Sequence, residues 1–189
     1  MIDELSMDFR GWARFSDDRK MRYRLARSFT PFSPAVERQQ GSPRVVFLML
    51  NPSTADAFKV DPTVARCCEF ARRWGADVLE VVNLFALRST DPKALYLERS
   101  PWEGWRERVG GDAVNDGEIF DACRGAQRVI AAWGNHGELA GRGAEVAAML
   151  AIAGVRLETL RATNHGYPSH PLARGKSFIP YDVQPVAYP

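Results

Sequence analysis

The feature that most constrains the fold is an alternation of short apolar runs with helical patterns across most of the chain. The runs have the length and the continuous apolar character of buried parallel strands, and they lie at 45–50, 78–82, 128–133 and 155–160. Apolar residues recur at helical spacing between them, within 62–74, 115–124 and 145–153. This order predicts an α/β three-layer sandwich, in which a four-stranded parallel sheet is covered by helices on both faces.

Two further segments precede this predicted core in the chain. Aromatic-rich residues at 9–15 and 21–29, separated by a polar cluster, predict an N-terminal β-hairpin. The chain has 189 residues and is 46% hydrophobic, which is enough for one domain with a substantial core. We therefore predict a single domain over 1–189, divided into a hairpin and loop at 1–43, a core at 44–176 and a tail at 177–189.

Composition argues against several classes of protein. The net charge of +2 does not define a polyanion-binding protein, although it permits a local basic face. The three cysteines are odd in number and lie within apolar helical patterns, which argues against a disulfide framework or a zinc site. The sequence shows neither an apolar run of about 18 residues nor a signal-peptide pattern, so we expect a cytoplasmic monomer with no membrane partner.

Each predicted strand is followed by a short polar segment. These segments are Asn51-Pro52-Ser53, Asn83-Leu84-Phe85, Gly134-Asn135-His136 and residues 166–172. Because the carboxyl ends of parallel strands meet at one edge of a sheet, the four segments are predicted to build one pocket. None of them matches a Walker loop or a dinucleotide-binding motif, so no cofactor is expected.

The four segments carry motifs that resemble, in the same order, those of the uracil-DNA glycosylase superfamily. They read Leu-Asn-Pro-Ser at 50–53, Val-Val-Asn-Leu at 81–84, Ala-Ala-Trp-Gly at 131–134 and Tyr-Pro-Ser-His-Pro-Leu at 167–172. Almost the whole chain also resembles the family known as domain of unknown function 1643. The superfamily resemblance, over 44–175, implies a uracil-DNA glycosylase-like fold and hydrolysis of the N-glycosidic bond of a damaged or modified base, extruded from DNA.

The resemblance also implies roles for individual residues. Asn51 falls where the superfamily orients a water, and Asn83 where it reads the edge of the extruded base. The last motif normally reads His-Pro-Ser-Pro-Leu, with a histidine that stabilises the departing base. Here Tyr167 takes that place if Pro-Ser is aligned, and His170 takes it if His-Pro-Leu is aligned. The candidate catalytic residues are Asn51 and His170, and the candidate base-binding residues are Asn83, Phe85, Tyr167 and Ser53.

The chemistry of base removal explains why such residues would be needed. Cleavage of a glycosidic bond leaves positive charge on the sugar and negative charge on the base, so the site needs a held water and donors to the base. Asparagine holds water but is not a base near neutral pH, and Asn51 would therefore act by positioning. Packing in the core is the competing role for Phe85 and Tyr167.

Two basic segments are candidates for contact with the DNA backbone. The residues are Ser169, Arg174 and Lys176 in the last loop, and Arg22 and Arg24 in the hairpin. The two hairpin arginines are two positions apart, so a regular strand would place both on one basic face. A charge-protected edge strand and a solvated basic loop are the structural alternatives.

Other functions compete with base removal. The three histidines His136, His165 and His170 could imitate a metal site, but they lack a helical pair and an acidic ligand, so no metal is predicted. A non-catalytic module that binds a nucleobase or nucleic acid is the main alternative, followed by a hydrolase of free nucleosides or nucleotides. The basic segments favour a nucleic-acid polymer over a free nucleoside as the ligand, because the number of phosphate contacts increases along a strand.

Overall fold

The computed structural model describes residues 2–4, 11–29, 42–53, 61–98 and 103–189. The first two residues of the predicted hairpin, 9 and 10, lie outside the described residues, as does most of the predicted loop that ends at residue 43.

Eight strands in the described residues form one mixed sheet. They are β1 (Ile2–Glu4), β2 (Gly11–Phe15), β3 (Arg22–Ser28), β4 (Arg44–Met49), β5 (Val78–Asn83), β6 (Arg128–Ala131), β7 (Leu157–Thr159) and β8 (Val186–Ala187). Their order across the sheet is β1-β2-β3-β5-β4-β6-β7-β8. The neighbours β5, β4, β6 and β7 run parallel, and the pairs outside them are antiparallel.

The α/β class is confirmed, but the sheet is larger than predicted and it is mixed. The hairpin of β2 and β3 does not lie beside the sheet, because β3 pairs directly with β5. The tail also contributes a strand, since β8 pairs with β7 at the opposite side. Ile179 in the tail is 1% exposed and belongs to the core. Segments from both ends of the chain therefore extend the sheet that the central segment begins.

Helices cover both faces of the sheet. They are α1 (Pro62–Arg73), α2 (Ala94–Leu97), α3 (Trp105–Arg108), α4 (Ala113–Cys123) and α5 (Arg142–Ile152). Phe70 of α1 packs in one core with Phe47, whereas α4 and α5 pack in the other core with Leu48. Successive residues of β4 thus serve opposite cores, as the alternation of side chains along a strand requires. None of the described helices is long and apolar enough to cross a membrane.

Local sequence explains where the long helices begin. The side chains of Asp61 and Asp112 accept hydrogen bonds from the backbone N–H groups of Thr63 and Asn115, and so cap α1 and α4. Pro62 opens α1, where its missing N–H costs nothing. The cap of α1 follows β4 and therefore lies at the carboxyl edge of the parallel strands.

A β-bulge separates the two hairpin arginines. Phe15 pairs with Arg22 and Arg14 pairs with Arg24, so Tyr23 is the additional residue in β3. This extra residue interrupts the alternation of side chains, and Arg22 and Arg24 therefore face opposite sides of the sheet. The predicted basic face is wrong for this reason.

Candidate functional site

A pocket of about 430 Å³ lies at the carboxyl ends of β4, β5 and β6. Residues from all four predicted polar segments contribute to its wall. Its lining comprises Arg22, Met49, Leu50, Asn51, Ser53, Asp61, Thr63, Val64, Val81, Asn83, Ser89, Thr90, Pro92, Trp133, Gly134, His136 and His170. The wall thus combines apolar strand ends with carboxamides, a carboxylate, a guanidinium and two imidazoles, a composition typical of a ligand site.

The carboxamide of Asn51 is held by hydrogen bonds from its Nδ2 to backbone carbonyl groups. Its Nδ2 donates to the carbonyl oxygen of Ser89 over 3.0 Å and lies 3.4 Å from that of Leu87. The Ser89 N–H in turn donates to the Pro52 carbonyl over 2.8 Å, which ties the two loops together. These carbonyl groups determine the orientation of the amide. Its Oδ1 receives no hydrogen bond from the described residues and remains an acceptor for a water in the pocket.

Asn83 is the last residue of β5 and is only 1% exposed. Its Nδ2 is buried and has no hydrogen-bond partner among the described residues. The main chain at this point is well fixed, since Asn115 Nδ2 donates to the carbonyl groups of Asn83 and Leu84 over 3.0 and 3.1 Å. Arg142 Nε also donates to the Leu84 carbonyl, over 3.1 Å. A buried amide without a partner costs about 1–3 kcal/mol, so an acceptor on a ligand would be stabilised here.

His170 lines the pocket, and one of its ring nitrogens already has a partner in the protein. The Leu172 N–H donates to Nδ1 over 3.2 Å, which places the proton of the neutral ring on Nε2. Burial lowers the pKa of His170, and the negative charge of Asp61 only partly opposes this effect. The imidazole is therefore a neutral donor at pH values near 7. Arg66 Nε donates to the Pro171 carbonyl over 2.6 Å and anchors this loop to α1.

Two charged groups of the pocket, Asp61 and Arg22, have positions that the sequence alone did not predict. Asp61 caps α1, and its carboxylate also lines the pocket and accepts a 2.6 Å hydrogen bond from Ser53 Oγ. Burial would raise the pKa of Asp61, but the hydrogen bonds from Ser53, Thr63 and Val64 outweigh it and lower that pKa. A signal was available in the sequence, because the cap of the helix that follows a parallel strand lies at the functional edge.

Arg22 is the other charged group, and it is 3% exposed within the pocket wall. Burial lowers the pKa of Arg22 to about 10, with Asp61 acting in the opposite direction. The residue remains a cation at neutral pH. Its burial removes it from the solvent-exposed face where a DNA backbone would run, and the bulge at Tyr23 is the reason.

Phe85, Tyr167 and Ser169 are among the predicted site residues that do not line this pocket. The Phe85 ring is 0% exposed and packs against Trp105 with 5.7 Å between the ring centroids, so it offers no open face for stacking. Tyr167 donates its hydroxyl to Glu138 Oε2 over 3.1 Å and borders a separate surface cavity. Ser169 is 3% exposed, and its N–H donates to the Arg161 carbonyl over 2.8 Å.

The remaining basic candidates divide into buried and exposed groups. Arg24 is bound to Glu80, with 2.5 Å between Nη2 and Oε1, and its side chain is 15% exposed. Arg174 and Lys176 are exposed and lie at a 3-10 turn formed by Gly175–Ser177. Of the predicted backbone contacts, therefore, these two in the last loop have the exposure that phosphate binding needs.

The three histidines do not converge on one point. His136 and His170 line the pocket, whereas His165 borders the separate cavity beside Tyr167. His136 Nδ1 lies 3.0 Å from the Tyr96 hydroxyl. Across the described ranges, no group of three or more His, Cys, Asp or Glu side chains is placed to hold a metal ion.

The fold and the pocket define an α/β protein with a ligand-sized cavity at the carboxyl edge of its parallel strands, and the wall of this cavity is largely apolar with several polar side chains. The sequence model of the family described as "Protein of unknown function (DUF1643)" matches residues 22–172, which extend from the start of β3 to the end of the His170 loop. The chain belongs to this family. No curated protein and no solved structure is significantly similar to it.

Proposed function

We propose that this protein is a DNA glycosylase that hydrolyses the N-glycosidic bond of a damaged or modified base. The observation that carries the proposal is the buried Asn83 carboxamide, whose Nδ2 has no partner in the described part of the chain. The edge of a nucleobase offers acceptors and donors side by side, and a carboxamide is complementary to such an edge. A base extruded from DNA would satisfy Asn83 and fill the pocket.

The other polar groups supply the two further requirements of the reaction. The Oδ1 of Asn51, which receives no hydrogen bond from the described residues, accepts one from the attacking water and orients it toward the sugar. The Nε2–H of His170 donates to the base as negative charge develops on it. A volume of about 430 Å³ lies within the range of small-molecule sites.

A uracil-DNA glycosylase-like fold is part of the proposal. Counted along the chain, the four parallel strands lie in the order second, first, third, fourth. The motifs that resemble the superfamily follow these strands, and three of them contribute polar side chains to the pocket. We also propose that the partner is DNA and that the exposed Arg174 and Lys176 contact its backbone. The proposal further includes a monomeric state and a cytoplasmic location.

A non-catalytic module that binds nucleobases or nucleic acid is the second candidate. The nature of Asn51 favours it, because an amide is not a base near neutral pH. A hydrolase of free nucleosides or nucleotides is the third candidate. The exposed basic loop favours a polymeric ligand over a free nucleoside.

The test is the formation of abasic sites in a panel of DNA duplexes and single strands. The panel contains uracil, hypoxanthine, deaminated purines and modified pyrimidines, each at one position. We expect base release from at least one member, with a rate that depends on the identity of the base. Binding to the panel without release would favour the binding module, and release from free nucleosides alone would favour the third candidate.

A further inference from the structure

We propose that Asp61 is the catalytic carboxylate that accepts the proton of the attacking water. The inference rests on the proposed glycosylase function and supplies the base that Asn51 cannot provide. Asp61 lines the same pocket as Asn51, Asn83 and His170. Among the lining residues that the structure describes, it is the one carboxylate.

Hydrogen bonds from its neighbours hold the Asp61 carboxylate in the pocket wall. Oδ2 accepts from Ser53 Oγ and Oδ1 accepts from the Thr63 N–H, each over 2.6 Å. The backbone of Val64 and the side chain of Thr63 also form hydrogen bonds with this carboxylate, and all of these bonds favour its ionised form. Ser53 and Asn51 belong to the same short loop after β4, which brings the water-holding amide and the carboxylate to one side of the pocket.

The charges around Asp61 are consistent with an anion at this position. Its hydrogen bonds lower its pKa despite partial burial, so it is ionised at neutral pH. Its charged and titratable neighbours are the buried Arg22 and Cys67 and the half-buried His170, and the pKa of each is affected by the charge of Asp61. A weakly basic carboxylate suits a reaction in which the sugar becomes positive before the water loses its proton, because the negative charge also stabilises that sugar.

The chemical step is then complete without a cofactor. The N-glycosidic bond breaks and its electron pair leaves with the base, which the Nε2–H of His170 stabilises. The oxygen of the water held by Asn51 forms the new bond to the sugar C1′. The water proton passes to Asp61 and later to the departed base or to solvent, which restores the carboxylate.

The cap of α1 is the competing explanation for Asp61, and one substitution separates the two roles. Asparagine caps helices about as well as aspartate, so Asp61→Asn should keep the fold while it removes the negative charge. Asp112→Asn is the matched control. Asp112 caps α4 through a 3.1 Å bond from the Asn115 N–H and does not line the pocket.

The binding measurement uses DNA with two abasic analogues, so this part of the experiment does not depend on the identity of the base. One carries a cationic pyrrolidine whose nitrogen replaces C1′, and the other carries a neutral tetrahydrofuran. The unchanged protein should bind the cationic analogue at least about tenfold more tightly, since charges attract strongly in a partly enclosed pocket. Asp61→Asn should abolish this preference and reduce base release from a panel substrate by about 10²-fold to 10⁴-fold. Asp112→Asn should change neither quantity.

The outcomes distinguish this inference from the proposed function. Base release that survives in Asp61→Asn, or a cationic preference that survives in it, would overturn the role of Asp61 and leave the glycosylase intact. An unchanged protein that binds neither analogue and releases no base would overturn the proposed function, and the inference with it. A variant that unfolds is identified by its melting temperature, and Asp61→Ser, which also caps a helix, then replaces it.

Discussion

The two pocket asparagines differ in which end of the carboxamide the protein already uses. Asn51 has its Nδ2 engaged by the Ser89 carbonyl at 3.0 Å, whereas Asn83 has a buried Nδ2 that no described residue engages. The first is therefore oriented as an acceptor toward the pocket, and the second retains a donor for a ligand. One residue type thus serves two roles, which the surrounding backbone decides.

Asn51→Ala should separate catalysis from folding. The substitution removes the acceptor for water, and single-turnover base release should fall by about 10²-fold or more, while DNA affinity changes little. The lost bond to Ser89 should destabilise the fold by about 1 kcal/mol, measurable by urea unfolding. Asn164→Ala, at an exposed position, is the control. Full activity of Asn51→Ala on a confirmed substrate would exclude the proposed role, and unfolding would identify Asn51 as a structural turn residue.

The burial of His170 should make stability depend on pH. Because burial lowers its pKa below the ordinary 6.5, the unfolded chain binds a proton at a higher pH than the folded chain does. This contribution to stability is complete above the ordinary pKa and is lost as the pH falls through 6.5 toward the folded value. Urea unfolding from about pH 5 to about pH 8 should show this loss, and His170→Gln should reduce it. The exposed His165→Gln is the control; an equal effect of both variants would contradict the assignment.

At the scale of elements, the bulge in β3 decides what each arginine contacts. Arg24 faces the α4 side and binds Glu80, which is 1% exposed, while Glu118 of α4 lies 3.9 Å away. Arg22 faces the α1 side and enters the pocket wall. A single additional residue thus converts a predicted DNA-binding strand into one structural ion pair and one pocket residue.

Arg24→Ala should destabilise the protein without a specific effect on DNA binding. Among the described residues it leaves Arg44, at 3.6 Å, as the remaining cation paired with the buried Glu80, and burial already raises the pKa of Glu80. The expected loss is about 3 kcal/mol in the free energy of unfolding, because breaking a buried pair leaves an uncompensated charge. The surface ion pair of Arg73 and Glu69 offers a comparison, because the Glu69 side chain is 38% exposed. Arg73→Ala should therefore lower the free energy of unfolding by less than about 1 kcal/mol. A loss of DNA affinity in folded Arg24→Ala would restore the original prediction.

At the scale of the molecule, the two ends of the parallel strands differ in character. The carboxyl edge carries the pocket of about 430 Å³, with exposed Arg174 and Lys176 in the chain that follows His170. The amino edge carries another cavity, lined by Arg124 and Arg156 but lacking the motif residues. Both edges carry exposed arginine. Substitutions at the two edges can therefore remove the same amount of charge at different positions, which shows whether DNA binding depends on the position of the charge.

Neutralising Arg174 and Lys176 to glutamine should flatten the salt dependence of DNA binding. Each lost phosphate contact reduces the slope of log affinity against log salt by about 0.9, so the double variant should lose about 1.8. Changing Arg124 and Arg156 to glutamine removes the same charge at the amino edge and should leave the slope unchanged. An equal effect of both double variants would mean that net charge is responsible, and binding that does not depend on salt would indicate a small-molecule ligand instead.

Elements whose signals are local could be predicted closely from the sequence. The first predicted strand, 45–50, corresponds to Arg44–Met49, and the predicted helix at 145–153 corresponds to Arg142–Ile152. The convergence of Asn51, Asn83 and His170 also followed, because the ends of parallel strands share an edge. The burial of Phe85 and the separate position of Tyr167 did not follow, because an aromatic residue after a strand has the same local pattern in either environment.

The sequence by itself determined the order of elements, the helix caps and the family, because hydrophobic periodicity, capping side chains and motifs are properties of neighbouring residues. Only the tertiary structure decided that the hairpin joins the sheet, that Arg24 binds Glu80 across 56 positions and that Arg66 holds the Pro171 carbonyl across 105. It also decided that Asp61 is a pocket residue as well as a cap. Such contacts join segments far apart in the chain, and their geometry depends on a bulge and on packing that no local pattern specifies.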